Sequence, residues 1–448
     1  MNLSFLLSER VRTDHPIRVA LIGCGKFATM YLTQARQTAG IHIVGIADLD
    51  PARAMKQLAT AGWTAEQYAA RNPTDAMAKG STWLTEDADQ LIDLNEIDVV
   101  VEATGIPTAG IHHCRRAITA GHHIVMVNVE ADVVAGPLLA REAQAAGVVY
   151  SLAWGDQPAL ICEHVDWART CGFEVVCAGK GTRYHPSYHE LTPDSVWEVL
   201  QQYLEIDDPT SINMKMFNSF LDGSKSGIEM SAVCNTTGLT PQHNGLGFPP
   251  SSRFDLANVC KPSEDGGMLS RRGTTEVVSS LTRSGEPVPH HLAMGTYVVV
   301  EGAGDYAQQC FREYHMLQDS TGRYAALYRP THMIGMELGV SVASVVLRGE
   351  PTGCPKGFYS DVVATAKHAL TAGQMLDGEG GHCVWGQQMP AADSIERGAL
   401  PLGLAADIKM RCNVAAGSTL RWADVEFDDN DTAVRARREM EVAFSDRL

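Results

Sequence analysis

An apolar run, Ile17-Arg18-Val19-Ala20-Leu21-Ile22, passes without a break into Gly23-Cys24-Gly25-Lys26-Phe27-Ala28. A strand followed at once by GxGxxA, with a helical pattern over 26–39, leaves few folds open. Gly23 allows the tight turn, and Gly25 lets the backbone approach a pyrophosphate. Ala28 lets the helix lie close on the strand, while Lys26 and Phe27 open a helix whose free N–H groups favour an anion. A second apolar strand, 41–47, ends in Asp48, an acid placed to accept both ribose hydroxyls and to repel a 2′-phosphate. NAD(H) is therefore expected ahead of NADP(H). The competing view of Asp48 is a turn and cap residue in Asp48-Leu49-Asp50-Pro51.

The alternation continues. Asp98–Glu102 reads as a strand buried in a parallel sheet, closing on Thr104 and Gly105, which are placed to sit beside a nicotinamide ribose. Helix 108–120, strand 122–127, helix 136–146 and strand 147–152 complete an α/β, doubly wound, Rossmann-type parallel sheet. At ~150 residues per domain, the 448 residues divide into a nucleotide domain over 1–155, an α+β catalytic domain over 156–350 and a small β-rich module over 351–448. The end of the second segment has the option of packing back on the first.

Charge narrows the partners. Thirty-six basic against fifty-three acidic residues leave −17, which repels nucleic acid and anionic lipid. No run reaches the ~18 apolar residues of a membrane span, and no basic leader precedes residue 10. Eleven dispersed cysteines without a CxxC pair fit a reducing, cytoplasmic setting. Neither HExxH nor a Cys/His quartet is present, and no GxSxG elbow supports a hydrolase. A small-molecule substrate and a homo-oligomer are expected.

Ligands of open α/β sheets bind at the carboxyl ends of strands, and four segments there carry chemistry. Asn128-Val129-Glu130-Ala131-Asp132 offers an amide and two carboxylates, able to orient hydroxyls, take a proton or hold Mg²⁺; the plainer role for Asp132 is the N-cap of helix 136–146. Asp156 follows the 147–152 strand. Gly179-Lys180-Gly181 follows a strand over 173–178, with glycines that leave room for a ligand; Lys180 is the candidate general acid/base. A strand over 214–220 leads into Asp222-Gly223-Ser224-Lys225, where Lys225 is an anion holder or a hairpin-turn residue.

Taken together, Ala103–Pro107, Met126–Asp132, Gly155-Asp156, Ala178–Gly181, Asp222–Lys225 with Glu229-Met230, Asn235 with Thr237–Leu239, Gly266-Gly267, Arg329-Pro330, His332 and Glu337 resemble the 1-deoxy-D-xylulose-5-phosphate reductoisomerase-like proteins, a homoserine dehydrogenase-like family with a C-terminal SAF domain. The resemblance implies a nicotinamide-dependent oxidoreductase, and the leading expectation is that it acts on a small polyhydroxylated substrate, with or without a phosphate or carboxylate. It also implies that Leu400–Ala405 and Ala416–Asp424 belong to an SAF-like module. The reductoisomerase itself implies NADPH and basic residues where this chain has Ala47-Asp48-Leu49, so its reaction, with isomerisation coupled to reduction, stands as the alternative. Homoserine dehydrogenase implies a lysine after Asn128, where Val129 stands, and comes third; a nucleotide sensor without turnover is the remaining class.

Overall fold

The computed structural model describes residues 2–204 and 212–445. Two compact units divide the chain, Met1–Leu160 with His332–Lys356, and Ile161–Thr331 with Gly357–Leu448.

The first unit is built on six strands, β1 (Ile17–Ile22), β2 (Ile41–Ala47), β3 (Trp83–Thr85), β4 (Val99–Glu102), β5 (His123–Met126) and β6 (Tyr150–Leu152). All pairings are parallel, in the order β3-β2-β1-β4-β5-β6. This is the doubly wound order expected, and it reverses between β1 and β4, where such sheets bind ligands. Val19, Leu21, Ile43, Ile46, Val99, Val101 and Val125 form its core with Ala28 and Leu32 of the Lys26–Ala35 helix. Leu338, Val342 and Val345 join the same core. Their spacing of four and three residues makes one apolar helix stripe, and that stripe brings 332–356 back to the nucleotide unit.

In the second unit, β7 (Glu174–Thr182), β8 (Thr274–Ser279), β9 (Thr296–Glu301), β10 (Leu317–Gln318) and β11 (Tyr324–Arg329) form a mixed sheet in the order β10-β11-β9-β7-β8. Only β7 and β8 run parallel. One face, with Ala178, Val277, Val298 and Val300, packs against Ile161 and Val165 and against Met230 and Val233 of the Ser224–Thr237 helix. The other carries Val176, Val278, Tyr297 and Val299 against Leu256 and Ala257.

The tail contributes β12 (Ser360–Ala366), β13 (Met375–Asp377), β14 (Val384–Pro390), β15 (Ala406–Met410) and β16 (Val425–Glu426), and ends in a helix, Thr432–Phe444. It is rich in β-structure but does not stand as a third unit beginning at 351. Asn235 gives the reason: its Oδ1 accepts the N–H groups of Tyr359 at 2.8 Å and Ser360 at 3.0 Å, deep in the protein. The start of β12 is thereby stitched to the Ser224–Thr237 helix.

Two local expectations are corrected. Residues 214–220 are a helix, Met214–Leu221, rather than a strand. Asn213 caps it by accepting the Met216 N–H at 3.1 Å, and Met214, Phe217 and Leu221 pack in one cluster at helical spacing. Asp222-Gly223 is consequently a link between helices, with Gly223 at φ +94°, and no hairpin forms.

Candidate functional site

At the switch point of the first unit, Gly23 adopts φ +89°, and a Cβ there would lie 2.8 Å from the Ala103 carbonyl oxygen. Only glycine lets β1 turn so close to the exit of β4. Gly25 is different: its φ is −86°, and an added Cβ would meet no protein atom within 4 Å. The space over Gly25 is a cradle at a helix start that no side chain caps, as a pyrophosphate requires. Gly105 likewise opens onto free space. The beginning of its loop is held by Glu102, whose Oε1 accepts the Thr104 hydroxyl at 2.6 Å, and by Asn128, whose Nδ2 donates to Ile106 O at 3.0 Å. Buried Asp48 points back at the glycine loop, accepting the Cys24 N–H at 2.7 Å, and also pairs with Arg53. These residues fit a dinucleotide.

The Asn128–Asp132 segment is not the metal or acid/base cluster expected of it. Asn128, rather than Asp132, is the N-cap, and the helix runs Val129–Ala145, seven residues longer at its start. Asp132 therefore lies inside the helix, fully buried, and accepts the Tyr150 hydroxyl at 2.7 Å. With Asn128 Oδ1 on the Ala131 N–H, neither group is turned towards a cation. Among the described residues no cluster of three His, Cys, Asp or Glu side chains could hold a metal ion. Glu130 is half-buried in the first turn of that helix, and buried Asp156 accepts the Gln157 N–H at 2.9 Å.

Burial raises the Asp132 carboxyl to about 7, against a smaller lowering by the Tyr150 hydrogen bond. The folded state thus holds a proton that the unfolded chain releases near pH 4, so this group costs stability as pH rises from about 4 to about 7. In Asp132→Asn the drop in urea midpoint between pH 5 and pH 8 is expected to shrink while the Tyr150 contact is kept. An unchanged drop would show that Asp132 is not its source.

Lys180 occupies the interior of β7 instead of a turn beyond it. Its glycine neighbours do not make room for a ligand: a Cβ on Gly179 would fall 1.8 Å from Glu276 O, and one on Gly181 1.9 Å from Leu292 O. They let backbones approach. Lys180 is almost fully buried and forms an ion pair with Glu229, in the second turn of the Ser224–Thr237 helix. Across the sheet it registers with Thr296, whose hydroxyl bonds His164 Nε2 at 3.0 Å. Burial first, and then the charge of Arg329, lowers His164 to about 4, leaving a neutral imidazole on Thr296. Lys225 precedes Glu229 by one helical turn on the same face. Asp222, by contrast, is spent on a buried pair with Lys367 at 2.8 Å.

Lys180 is thus paired with Glu229, and Lys225 stands one helical turn before that carboxylate. Arg183 lies over the ring of Tyr203, 4.5 Å from its centre. His164 and Thr296 escape sequence reasoning entirely, since no motif marks them. Glu229 carried one signal, its place among the residues of the family resemblance.

Comparison with known proteins follows this division. Residues 23–152 match the model of the homoserine dehydrogenase NAD-binding domain, and residues 155–338 match that of the catalytic domain of the oxidoreductase DRL. The second stretch contains Lys180, Lys225 and Glu229. No curated protein sequence is significantly similar to the chain. Among solved structures, aldose-aldose oxidoreductase from Caulobacter crescentus complexed with glycerol is 13% identical at TM-score 0.40, covering 76% of this chain and 92% of that one. Myo-inositol dehydrogenase from Lactobacillus casei in complex with NAD(H) and myo-inositol is 13% identical at TM-score 0.29, covering 42% and 53%. An NAD-binding oxidoreductase from Klebsiella pneumoniae is 18% identical at TM-score 0.29, covering 40% and 45%. The chain thus spans about half the length of the last two. The two family models follow one another along the chain, an NAD-binding domain and then an oxidoreductase catalytic domain. Among the described residues no helix is long and apolar enough to cross a membrane.

Proposed function

We propose that the protein interconverts an alcohol and a carbonyl in a small polyhydroxylated substrate bearing a phosphate or carboxylate, using NAD(H) in preference to NADP(H). The observation that carries this is the buried Lys180–Glu229 pair in the region that matches an oxidoreductase catalytic domain. A bound nicotinamide supplies or takes the hydride at carbon. Lys180 Nζ, held by Glu229, donates to the substrate oxygen and passes its proton there as negative charge develops, or recovers it in the oxidative direction. His164, neutral and hydrogen-bonded to Thr296, completes a polar row without adding charge. Lys225 is the cation assigned to the substrate's anionic group, which reconciles such a substrate with a chain of net charge −17.

A screen with NAD(H) and NADP(H) against polyols, aldonates and their phosphates tests this, with 1-deoxy-D-xylulose 5-phosphate and homoserine included, with and without Mg²⁺. Turnover of a phosphorylated or carboxylated polyol is the expected result. Product analysis reveals any coupled isomerisation. Nucleotide binding with no turnover on any member would favour a sensor instead.

The cradle carries its own prediction. Gly25→Val fills the space over the loop, its Cβ meeting no protein atom within 4 Å, so NADH affinity should fall at least tenfold while the melting temperature moves by only a few degrees. Gly23→Ala, forced to φ +89° against Ala103 O, should instead destabilise the fold. Calorimetric titration with NADH and thermal unfolding separate the two; unchanged NADH binding in Gly25→Val would remove the loop from the cofactor site.

A further inference from the structure

The helix that carries Lys225 and Glu229 starts on a glycine. Gly223, at φ +94°, links it to the Met214–Leu221 helix, and a residue without Cβ leaves such a conformation at little cost. The link is therefore a hinge unless something pins it. Asp222 is held through its carboxylate, which accepts the Ser224 N–H at 2.9 Å and pairs with Lys367. Ser224 Oγ accepts the Gly386 N–H of β14 at 2.8 Å. Gly223 has no side chain to hold, and what lies against it is His189: a Cβ there would stand 3.1 Å from His189 Cε1 and 3.4 Å from Nδ1.

This imidazole is placed to hold rather than to carry protons. A carbonyl oxygen only accepts, so the 2.6 Å contact with Asp222 O puts a proton on Nδ1. Burial keeps the pKa of His189 below the ordinary histidine range. The neutral ring then offers its Nε2 lone pair to the Tyr184 hydroxyl at 2.9 Å. This hydrogen-bonded chain ends on a backbone carbonyl, where a proton has nowhere to go. Stacking fixes the rings: His189 lies on Trp385 of β14 with centres 3.8 Å apart, and Tyr184 on Phe248 at 4.0 Å.

We propose, resting on the anion-holding role given to Lys225 above, that His189 is the positioning residue for that lysine. By bonding Asp222 O and lying against Gly223, it fixes the first turn of the Ser224–Thr237 helix and with it the place of Lys225, two residues on. Through Trp385 the tail shares in that placement.

The probe is inorganic phosphate, titrated calorimetrically into wild type, Lys225→Met, His189→Ala, His189→Asn and His189→Gln, with saturating NADH present to occupy the glycine loop. Wild type is expected to bind, and Lys225→Met to lose most of that affinity. His189→Ala should weaken phosphate by about threefold to tenfold, the scale of one lost hydrogen bond. The two amides divide the imidazole between them: asparagine can set an N–H where Nδ1 stands, and glutamine a carbonyl where Nε2 stands. His189→Asn, which keeps the bond to Asp222 O, should therefore recover phosphate affinity, whereas His189→Gln, which keeps only the bond to Tyr184, should not. Wild-type phosphate affinity in His189→Ala, whatever its melting temperature, would make His189 a merely structural residue and overturn the proposal. Equal recovery by His189→Gln and His189→Asn would overturn it too. No binding by wild type, or equal binding by Lys225→Met, is a different result, which removes the anion role of Lys225 and the proposal with it. Where His189→Ala does not fold, the comparison of His189→Asn with His189→Gln decides.

Discussion

Replacing both members of the buried pair, in Lys180→Met/Glu229→Gln, is expected to leave a folded protein whose turnover falls by about 10²–10⁴, the usual contribution of general acid–base catalysis. The double variant is needed because the single one is ambiguous. Lys180→Met strands the Glu229 carboxylate, whose side chain is 3% exposed, and removing one partner of a buried pair costs about 3–5 kcal/mol. Activity lost that way says little about chemistry. Neutralising both groups removes the stranded charge, and replacement of buried pairs by neutral residues of similar volume is often close to thermodynamically neutral. Stability should therefore recover from the single to the double variant while turnover does not. Calorimetry and steady-state rates on the same preparations check this. A double variant working within tenfold of wild type would reduce Lys180 to a structural lysine.

The nucleotide unit was legible because its signals are local. Gly23, Gly25 and Ala28 lie within six residues, and the strand-helix alternation has periods that a short window reveals. The second unit hid its site for the opposite reason. Lys180 and Glu229 are 49 residues apart and come together only through packing of a helix on a sheet. Glycines 179 and 181 looked like space for a ligand, but the space belongs to the backbone of neighbouring segments. Residues 214–220 are apolar enough to suit a strand, and the structure instead makes them a helix that Asn213 caps. Asp132 illustrates a further limit. A carboxylate at the end of a candidate segment invites a chemical role, and only burial against Tyr150 shows it to be part of the core.

The C-terminal helix yields the second large expectation. Arg437 is fully buried, pairing with the equally buried Asp361 of β12, and its Nε reaches Glu441 at 2.8 Å. Asp361 also accepts the Ser394 hydroxyl. Arg437→Met removes the cation that faces buried Asp361 and should cost about 3–5 kcal/mol. The location makes the loss informative. Asp361 adjoins Ser360, which is held through Asn235 and Ser231 to the helix that carries Glu229. If the tail is part of the catalytic unit, urea should unfold both in one transition, shifted to lower concentration in the variant, and turnover should decline along the same curve as the fluorescence signal. An autonomous module would behave otherwise: it would melt alone in an earlier transition and leave dehydrogenase activity standing until a later one. Two separated transitions in Arg437→Met would therefore restore a three-part division of the chain, whereas a single shifted transition makes the last helix a support for Glu229 and, through it, for Lys180.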